Sequence, residues 1–205
     1  MRYIKIRLDF KYAERGRFYR TILVREDATL DSLGELFVDI LGGVHEHMFM
    51  FTSKNISYVH PSWVEDSFFP EKTKSYDGIS FKELGNSFLF TYDTGDGYDF
   101  NCKVYKYSKD IPFEDEEEVC FGFVLDGKGM GIWEDNIRSL IAYLSGEIPA
   151  EQDEDDEENG YYKPWNFDIE RFGEFDDPID IEDLNEIANG FIPVLKLMQE
   201  DEYCG

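Results

Sequence analysis

The sequence of 205 residues lacks the features that mark membrane-spanning and secreted proteins. It has no run of about 20 apolar residues, the length that a transmembrane helix needs. Residues 1–10 alternate apolar and polar side chains, whereas a secretory signal has a basic start followed by an apolar stretch. The 3 cysteines form no Cys-x-x-Cys pair, so neither a disulfide framework nor a zinc ribbon is predicted. We therefore expect a cytoplasmic protein with free thiols and no membrane association.

The common catalytic motifs are missing as well. The chain contains no Gly-x-Ser-x-Gly, no His-Glu-x-x-His and no dinucleotide-binding glycine fingerprint. Residues 127–131 are rich in glycine but lack the spacing of a phosphate-binding loop, and the acidic runs do not match a calcium-binding loop. The sequence therefore requires no cofactor, and it favours a protein that is not an enzyme.

Positive charge is scarce and unevenly placed. The chain has 20 Lys+Arg against 45 Asp+Glu, a net charge of −25. Residues 1–110 carry a net charge of −2, and residues 111–205 carry a net charge of −23. Because phosphates attract Lys and Arg, this balance excludes a protein that surrounds DNA with its whole surface. The 17% aromatic content excludes a disordered chain, so we expect a globular, acidic protein.

Two acidic runs, 114–118 and 151–158, concentrate the negative charge. Blocks of like charge repel one another and usually lie in solvent as loops. We predict a main α+β domain at residues 1–148 and an acidic mobile loop at 149–160. A C-terminal helical segment at 161–205 is expected to pack on the main domain.

The acidic half of the chain supports the first functional hypothesis. Complementary charge accelerates association and adds selectivity. We therefore expect a non-catalytic interaction module whose acidic half binds a basic protein or mimics the charge of nucleic acid. The alternative is that the charge only keeps the fold soluble. The candidate partner-binding residues are Glu114, Asp115, Glu116, Glu117, Glu118, Asp153, Asp155 and Asp156.

Alternation and helical spacing predict an α+β fold. Strands are predicted at 3–10, 17–24, 46–51, 55–59, 88–92, 98–107 and 118–125. A helix is predicted at 30–41, with Thr29 as its N-cap and Gly42-Gly43 as its stop. Further helices are predicted at 133–145, around 181–188 and after Pro193, and glycine-rich residues 126–131 predict a turn. This order indicates an antiparallel sheet built from hairpins, with a helix after the first hairpin and further helices in the C-terminal part.

The basic start of the chain supports an alternative, weaker hypothesis. Eight of the first 25 residues are Lys or Arg, and the predicted first hairpin places much of this charge on its solvent face. Tyr3, Tyr12 and Tyr19 are available to stack on bases. The residues that would bind nucleic acid are Lys5, Arg7, Arg15, Arg17 and Arg20.

A third hypothesis is a metal-dependent enzyme. On a strand, His45 and His47 would point to the same face, and Asp93 and Asp96 lie in the loop of the clearest predicted hairpin. Two imidazoles and carboxylates can hold a transition metal if their donor atoms reach about 2–2.2 Å from one ion. The alternative for Asp93 is a turn in which its carboxylate accepts hydrogen bonds from backbone N–H groups two residues on.

Several stretches of the chain resemble one known family. They are residues 18–24 followed by Ala28-Thr29-Leu30, then His45-Glu46-His47-Met48-Phe49, residues 88–96, residues 127–135, and Phe175-Asp176 with Ile181 and Asn185. Together they resemble the plasmid pRiA ORF-three-like family, whose members are also known as insertion-element passenger proteins of TnpR type. The chain departs from the family pattern at Gly97, Tyr98 and Phe100, which stand where the family has aspartate, tryptophan and histidine.

The resemblance implies an antiparallel α+β fold and a link to mobile elements, with no established activity. The TnpR label suggests a resolvase. No nucleophilic serine with a supporting arginine cluster can be picked out of this sequence, so a resolvase is not predicted.

Overall fold

The structure of the chain is a computed structural model. It describes residues 2–65, 67–106, 121–129, 131–147 and 180–190. The strands are β1 (Tyr3–Phe10), β2 (Tyr19–Arg25), β3 (Phe49–Ser53), β4 (Ile56–Val59), β5 (Thr73–Ser75), β6 (Ser87–Tyr92), β7 (Tyr98–Tyr105) and β8 (Gly122–Lys128). The helices are α1 (Leu30–Leu41), α2 (Ile137–Leu144) and α3 (Ile181–Gly190), and short 3₁₀ turns lie at Pro61–Trp63, Pro70–Lys72 and Phe81–Leu84.

The eight strands form one sheet in the order β5-β4-β3-β6-β7-β1-β2-β8. The hairpins β1-β2, β3-β4 and β6-β7 build most of it, and β4 and β5 are its parallel pair. The register sets Ile6 opposite Ile22 and Phe90 opposite Phe100, so apolar side chains of neighbouring strands share one face. The predicted α+β class, with an antiparallel sheet built from hairpins, is confirmed.

The apolar face of the sheet holds the core together with α1. Leu33, Phe37 and Leu41 of α1 are buried, and the Phe37 ring meets the Phe90 ring of β6 edge-on at 5.1 Å between centroids. Gly34 of α1 allows a close approach, because a Cβ atom there would lie 2.1 Å from the Phe49 ring. The core therefore depends on a small residue in the middle of its main helix.

Helix α1 ends where the sequence predicts. Gly42 has a left-handed φ of 80°, and its N–H donates to the Asp39 carbonyl, which is the usual glycine stop of a helix. At the other end, Thr29 occupies the N-cap position. Its hydroxyl bonds the Ser32 hydroxyl at 3.2 Å rather than a backbone N–H.

Helix α3 lies against α1 and against β8, the strand at one edge of the sheet. Leu184 and Ala188 are buried in the core. The Asn185 side chain accepts a hydrogen bond from the Val124 N–H at 2.7 Å and donates one to the Val124 carbonyl at 3.0 Å. β8 has a neighbouring strand on one side, and the Asn185 amide supplies hydrogen-bonding partners to Val124 on the other side.

Several element boundaries differ from the prediction, and three of these differences have an identifiable cause. β3 begins at Phe49 rather than at residue 46, because the chain must first turn after α1. β8 continues through Lys128, where the sequence predicts a turn, because its pairing with β2 extends that far. α2 begins at Ile137 rather than at 133, because Asp135 has a left-handed φ of 55° that a right-handed helix excludes. The 61–76 segment, which is rich in turn-forming residues and is predicted to be irregular, contributes the edge strand β5.

The predicted domain boundaries fall within residues 148–179, outside the described residues, and so does the helix predicted after Pro193. They stay predictions. Cys102 is a free, buried thiol. Among the helices of the described ranges, none combines the length and the apolar character needed to cross a bilayer.

Candidate functional site

The sheet register brings His47 and Asp93 together. β3 and β6 are antiparallel neighbours that set Phe49 opposite Tyr92. The residues just before β3 and just after β6 therefore meet at one end of the sheet. His47 lies in the loop between α1 and β3, and its Nδ1 is 3.7 Å from Asp93 Oδ1.

The segment before α2 adds two more carboxylates at the same place. The Ile132 N–H donates to the carbonyl of Leu41, the last residue of α1, at 2.8 Å, and the Tyr98 hydroxyl donates to the Trp133 carbonyl. These bonds hold Glu134 and the following Asp135 against the end of the sheet. Both residues lie more than 35 positions beyond Asp93 in the sequence, so the fold alone places them here.

The four side chains form one cluster, which we call the His47 cluster: His47, Asp93, Glu134 and Asp135. His47 Nε2 lies 3.2 Å from Asp135 Oδ1 and 3.7 Å from Glu134 Oε2. One donor atom each from His47, Asp93 and Asp135 falls within 4.8 Å of the others. His47 Nε2 is buried and makes no hydrogen bond among the described residues, although it lies 3.2 Å from Asp135 Oδ1.

Burial differs sharply across the cluster. The Glu134 side chain is 0% exposed and that of Asp135 is 58% exposed. Burial raises the pKa of the Glu134 carboxyl, although its Oε1 accepts hydrogen bonds at 2.9 Å from the Val44 N–H and the Tyr92 hydroxyl. Burial and the neighbouring Glu134 also raise the pKa of Tyr92, which keeps the phenol protonated as a donor. The cluster thus has a fixed inner side and an open outer side.

Two residues of the cluster hold left-handed backbone conformations. Asp93 has a φ of 48° and Asp135 a φ of 55°, a region that residues other than glycine seldom adopt and that recurs at functional sites. Asp93 Oδ1 accepts the N–H groups of Gly95 at 3.0 Å and Asp96 at 3.3 Å. The predicted aspartate turn is therefore present, with Asp93 itself in the left-handed region and Gly97 at a φ of 80°.

His45 does not belong to the His47 cluster, so the prediction that both histidines share one strand face is wrong. They precede β3, and His45 has a left-handed φ of 60° that turns the chain. Its ring lies between two carboxylates of α1, with Nδ1 2.8 Å from Glu35 and Nε2 2.8 Å from Asp39. These two bonds raise the pKa of His45 to about 10. His45 therefore serves as a charged link to α1.

Asp96 also lies outside the set of close donor atoms. Its Oδ2 accepts the Ile137 N–H at 3.4 Å, at the start of α2. A carboxylate at the N-terminus of a helix stabilises it. Of the four residues predicted as metal ligands, the structure therefore brings together His47 and Asp93.

The fold buries one of the residues predicted to bind nucleic acid and pairs two others with acids. Arg20 is fully buried, with Nε donating to the Ile40 carbonyl at 3.0 Å, and it is unavailable to any external ligand. Arg7 is held by Asp9 through two bonds of 2.8 Å. Arg17 lies 3.9 Å from Glu14. Lys5 and Arg15 remain accessible without a carboxylate partner among the described residues.

The predicted partner-binding acids of the two runs, 114–118 and 153–156, lie outside the described residues. Sequence reasoning missed Glu134 and Asp135 as members of the cluster. The available signal was their match to the Glu-Asp pair in the family motif that residues 127–135 resemble. The local sequence of this segment does not show which distant part of the fold the segment will contact.

The fold and the cluster define an α+β protein with one hairpin-built sheet and a histidine-carboxylate cluster at one end of it. The chain belongs to the plasmid pRiA4b ORF-3-like protein family, whose sequence profile matches residues 2–176. Its function is not established by that membership.

A solved structure shares this fold. The crystal structure of a protein of unknown function from Methanosarcina mazei Go1 superposes with a TM-score of 0.57 at 16% sequence identity, covering 81% of this chain and 97% of that one. At this identity the likeness establishes the fold alone. No curated protein matches the chain.

Proposed function

We propose that this protein binds a divalent transition-metal ion through His47, Asp93 and Asp135. The proposal depends on the convergence of three side chains, from loops far apart in the sequence, to within 4.8 Å of one another. Donor atoms about 2.1 Å from a shared ion lie about 3–4 Å apart. Small side-chain rotations therefore suffice for coordination. One imidazole with two carboxylates suits zinc, manganese or iron.

The open side of the cluster favours a reactive site over a structural one. Catalytic zinc sites have three protein ligands and leave a position for water or substrate, and the exposed Asp135 leaves such a position. An ion there would polarise a carbonyl or phosphoryl oxygen and acidify bound water. When Nδ1 of His47 is the ligand atom, the other ring nitrogen, Nε2, lies 3.7 Å from the buried Glu134. Glu134 is then placed to orient the imidazole, as carboxylates next to metal-bound histidines do.

Isothermal titration of EDTA-treated full-length protein with zinc and manganese tests the proposal. We expect one ion per chain, and an affinity loss of at least about 100-fold for His47→Gln and for Asp93→Asn, since outer partners alone cost about 10–100-fold. The asparagine keeps the oxygen that accepts the Gly95 and Asp96 N–H groups, so the turn survives.

The chain offers matched controls for both variants. His45→Gln removes a histidine from the same loop, and Asp96→Asn removes an aspartate from the same turn, yet neither residue belongs to the close donor set. Both controls should bind metal as the wild type does. Absence of binding heat in the wild type, or equal losses in the controls, would reject the site.

A second candidate is the non-catalytic interaction module, and we propose a basic protein as its partner. It is supported by the net charge of −23 over residues 111–205. The described part adds helix α3, where the charged residues Glu182, Asp183 and Glu186 are all acidic. Complementary charge of this kind increases association rates.

The test compares partner capture at about 50 and 500 mM salt, because screening weakens exposed charge pairs. The full chain is compared with a variant carrying Gln at positions 114–118 and with a control carrying Gln in place of Glu71 and Glu83, which are exposed acids outside residues 111–205. A specific basic protein retained at low salt by the wild type, and lost with the 114–118 variant, is the expected result. Equal retention by all three chains would refute the acidic run as the binding surface.

A further inference from the structure

The face of the sheet opposite the core carries an open cleft with a positive lining. Strands β1, β6 and β7 and the turns at their ends enclose about 610 Å³. Its cations are Lys11, Arg15, Lys54 and Lys103, and we call it the basic cleft. Such a concentration of positive charge is unexpected in a chain whose net charge is −25.

Most of the cleft's positive charge is not neutralised by the protein. Asp9 is the acid in its lining, and both of its oxygens are taken by Arg7 at 2.8 Å. Lys11 is bound to Asp99 at 2.8 Å. Arg15, Lys54 and Lys103 are exposed, and within the described ranges no carboxylate lies in ion-pair distance of them.

The sheet register places Lys103 among other cations. It lies directly opposite Arg7 in the β1-β7 pair, and Asp9 neutralises the charge of Arg7. The ammonium groups of Lys5 and Lys103 both approach the Tyr105 ring, at 5.2 and 5.4 Å from its centre. An anion bound near Lys103 would be attracted by both ammonium groups.

We propose that the basic cleft binds a small phosphorylated organic molecule, of the size of a nucleoside polyphosphate. Its volume falls in the range of about 300–1,000 Å³ typical of small-molecule sites and exceeds the need of a single phosphate. Arg15, Lys54 and Lys103 supply donors for phosphate oxygens. Leu89 and Tyr105, also in the lining, supply apolar contact for the organic part.

This site is separate from the His47 cluster. Lys54 follows the last residue of β3 and Ser87 is the first residue of β6, whereas His47 precedes β3 and Asp93 follows β6. The two sites therefore occupy opposite ends of the same two strands. Measurements in EDTA examine the cleft without any contribution from a metal ion.

Isothermal titration in EDTA at about 50 mM salt tests the proposal with four probes: ATP, tripolyphosphate, adenosine and a single-stranded oligothymidylate. The expected order is ATP first, tripolyphosphate weaker, and adenosine without detectable binding. Lys103→Gln and Lys54→Gln should each weaken ATP binding about tenfold, the loss of one charge-assisted contact. Lys74→Gln, an exposed lysine of β5 outside the lining, should leave it unchanged.

Three results would overturn the proposal. The first is no ATP binding to the wild type at millimolar concentration. The second is an equal effect of Lys74→Gln and Lys103→Gln, which would mean that charge acts without a site. The third is tighter binding of the oligothymidylate than of ATP, which would show that this face of the sheet is a surface that binds single-stranded nucleic acid. Thermal unfolding of each variant confirms that these exposed substitutions leave the fold intact.

Discussion

Replacement of the buried Arg20 by methionine tests how the end of α1 is joined to the sheet. Arg20 Nε donates to the Ile40 carbonyl at 3.0 Å, and Nη1 donates to the carbonyls of Tyr19 and Lys128 at 2.9 Å. Ile40 is in the last turn of α1, where carbonyls have no partner within the helix. Burial lowers the pKa of Arg20 to about 9, so the guanidinium remains charged at neutral pH.

Two effects of Arg20→Met oppose each other. Methionine removes a desolvated charge, and replacing buried charges by apolar residues is often neutral when all partners are replaced together. Here the partners are main-chain carbonyls that the substitution leaves in place. Of these three carbonyls, that of Ile40 is buried and those of Tyr19 and Lys128 are partly buried. A buried acceptor without a donor costs about 1–3 kcal/mol and a partly buried one costs less, so after the relief of desolvation we expect a net loss of about 2–4 kcal/mol.

The assay is urea unfolding at pH 7 and 25 °C, with the free energy of unfolding obtained by linear extrapolation. Arg17→Met is the matched control. It lies three positions away, is exposed, and approaches Glu14 only at 3.9 Å, so its loss should stay below about 0.5 kcal/mol. A loss below about 1 kcal/mol for Arg20→Met would refute the assignment of Arg20 as the link between α1 and the sheet.

Three further outcomes are expected. The pKa of His45 is raised to about 10, so the charge of His45 stabilises the fold fully below its ordinary pKa, and this stabilisation is lost as the pH rises through 10. Between pH 8 and 10.5 the free energy of unfolding of the wild type should therefore fall by about 1 kcal/mol relative to that of His45→Gln. Asn185→Ala leaves both backbone groups of Val124 without their partner and should cost about 2–3 kcal/mol in urea unfolding. Gly34→Ala gains about 1 kcal/mol of helix propensity but forces a methyl into the Phe49 ring, for a net loss of about 1–2 kcal/mol.

Each outcome has its own control. Parallel pH profiles for the wild type and His45→Gln would contradict the first. Asn185→Asp keeps the acceptor for the Val124 N–H but sets a carboxylate oxygen against the Val124 carbonyl, so it should lose at least as much as alanine. Equal stability of all three chains would contradict the second. For the third, Phe49→Leu in the Gly34→Ala background should recover stability, because the two residues are in contact and their effects on stability are coupled. If Gly34→Ala alone were more stable than the wild type, the Phe49 ring would have to move away at little cost.

Local pattern was sufficient for the elements that carry their own signals. β1 alternates strictly, α1 has a capping position and a glycine stop, and the β6-β7 hairpin has a tight loop between two aromatic strands. The errors lie where long-range contacts decide. β8 extends beyond its predicted end because β2 pairs with it, and β5 exists because β4 offers an edge.

The candidate site shows the same division. Asp93 was predictable because a tight turn has local signs, and His47 because two histidines in a His-x-His pattern, with carboxylates available elsewhere, are typical metal ligands. Asp135 was not, because its position depends on the hydrogen bond from Ile132 to the end of α1. The separation of His45 from His47 depends equally on the two acids of α1 that bind His45.

The contact between Asn185 and β8 has a consequence for assembly. An exposed strand edge is a template on which a second chain can add its own strand. At one end of the sheet the edge strand β5 is only 3 residues long, and at the other the side chain of Asn185 occupies both hydrogen-bonding groups of Val124. A chain shortened before residue 180 would lose the second protection, and its 7-residue β8 would be open to strand addition by another copy. Helix α3 thus covers part of a strand edge that could otherwise pair with a second copy.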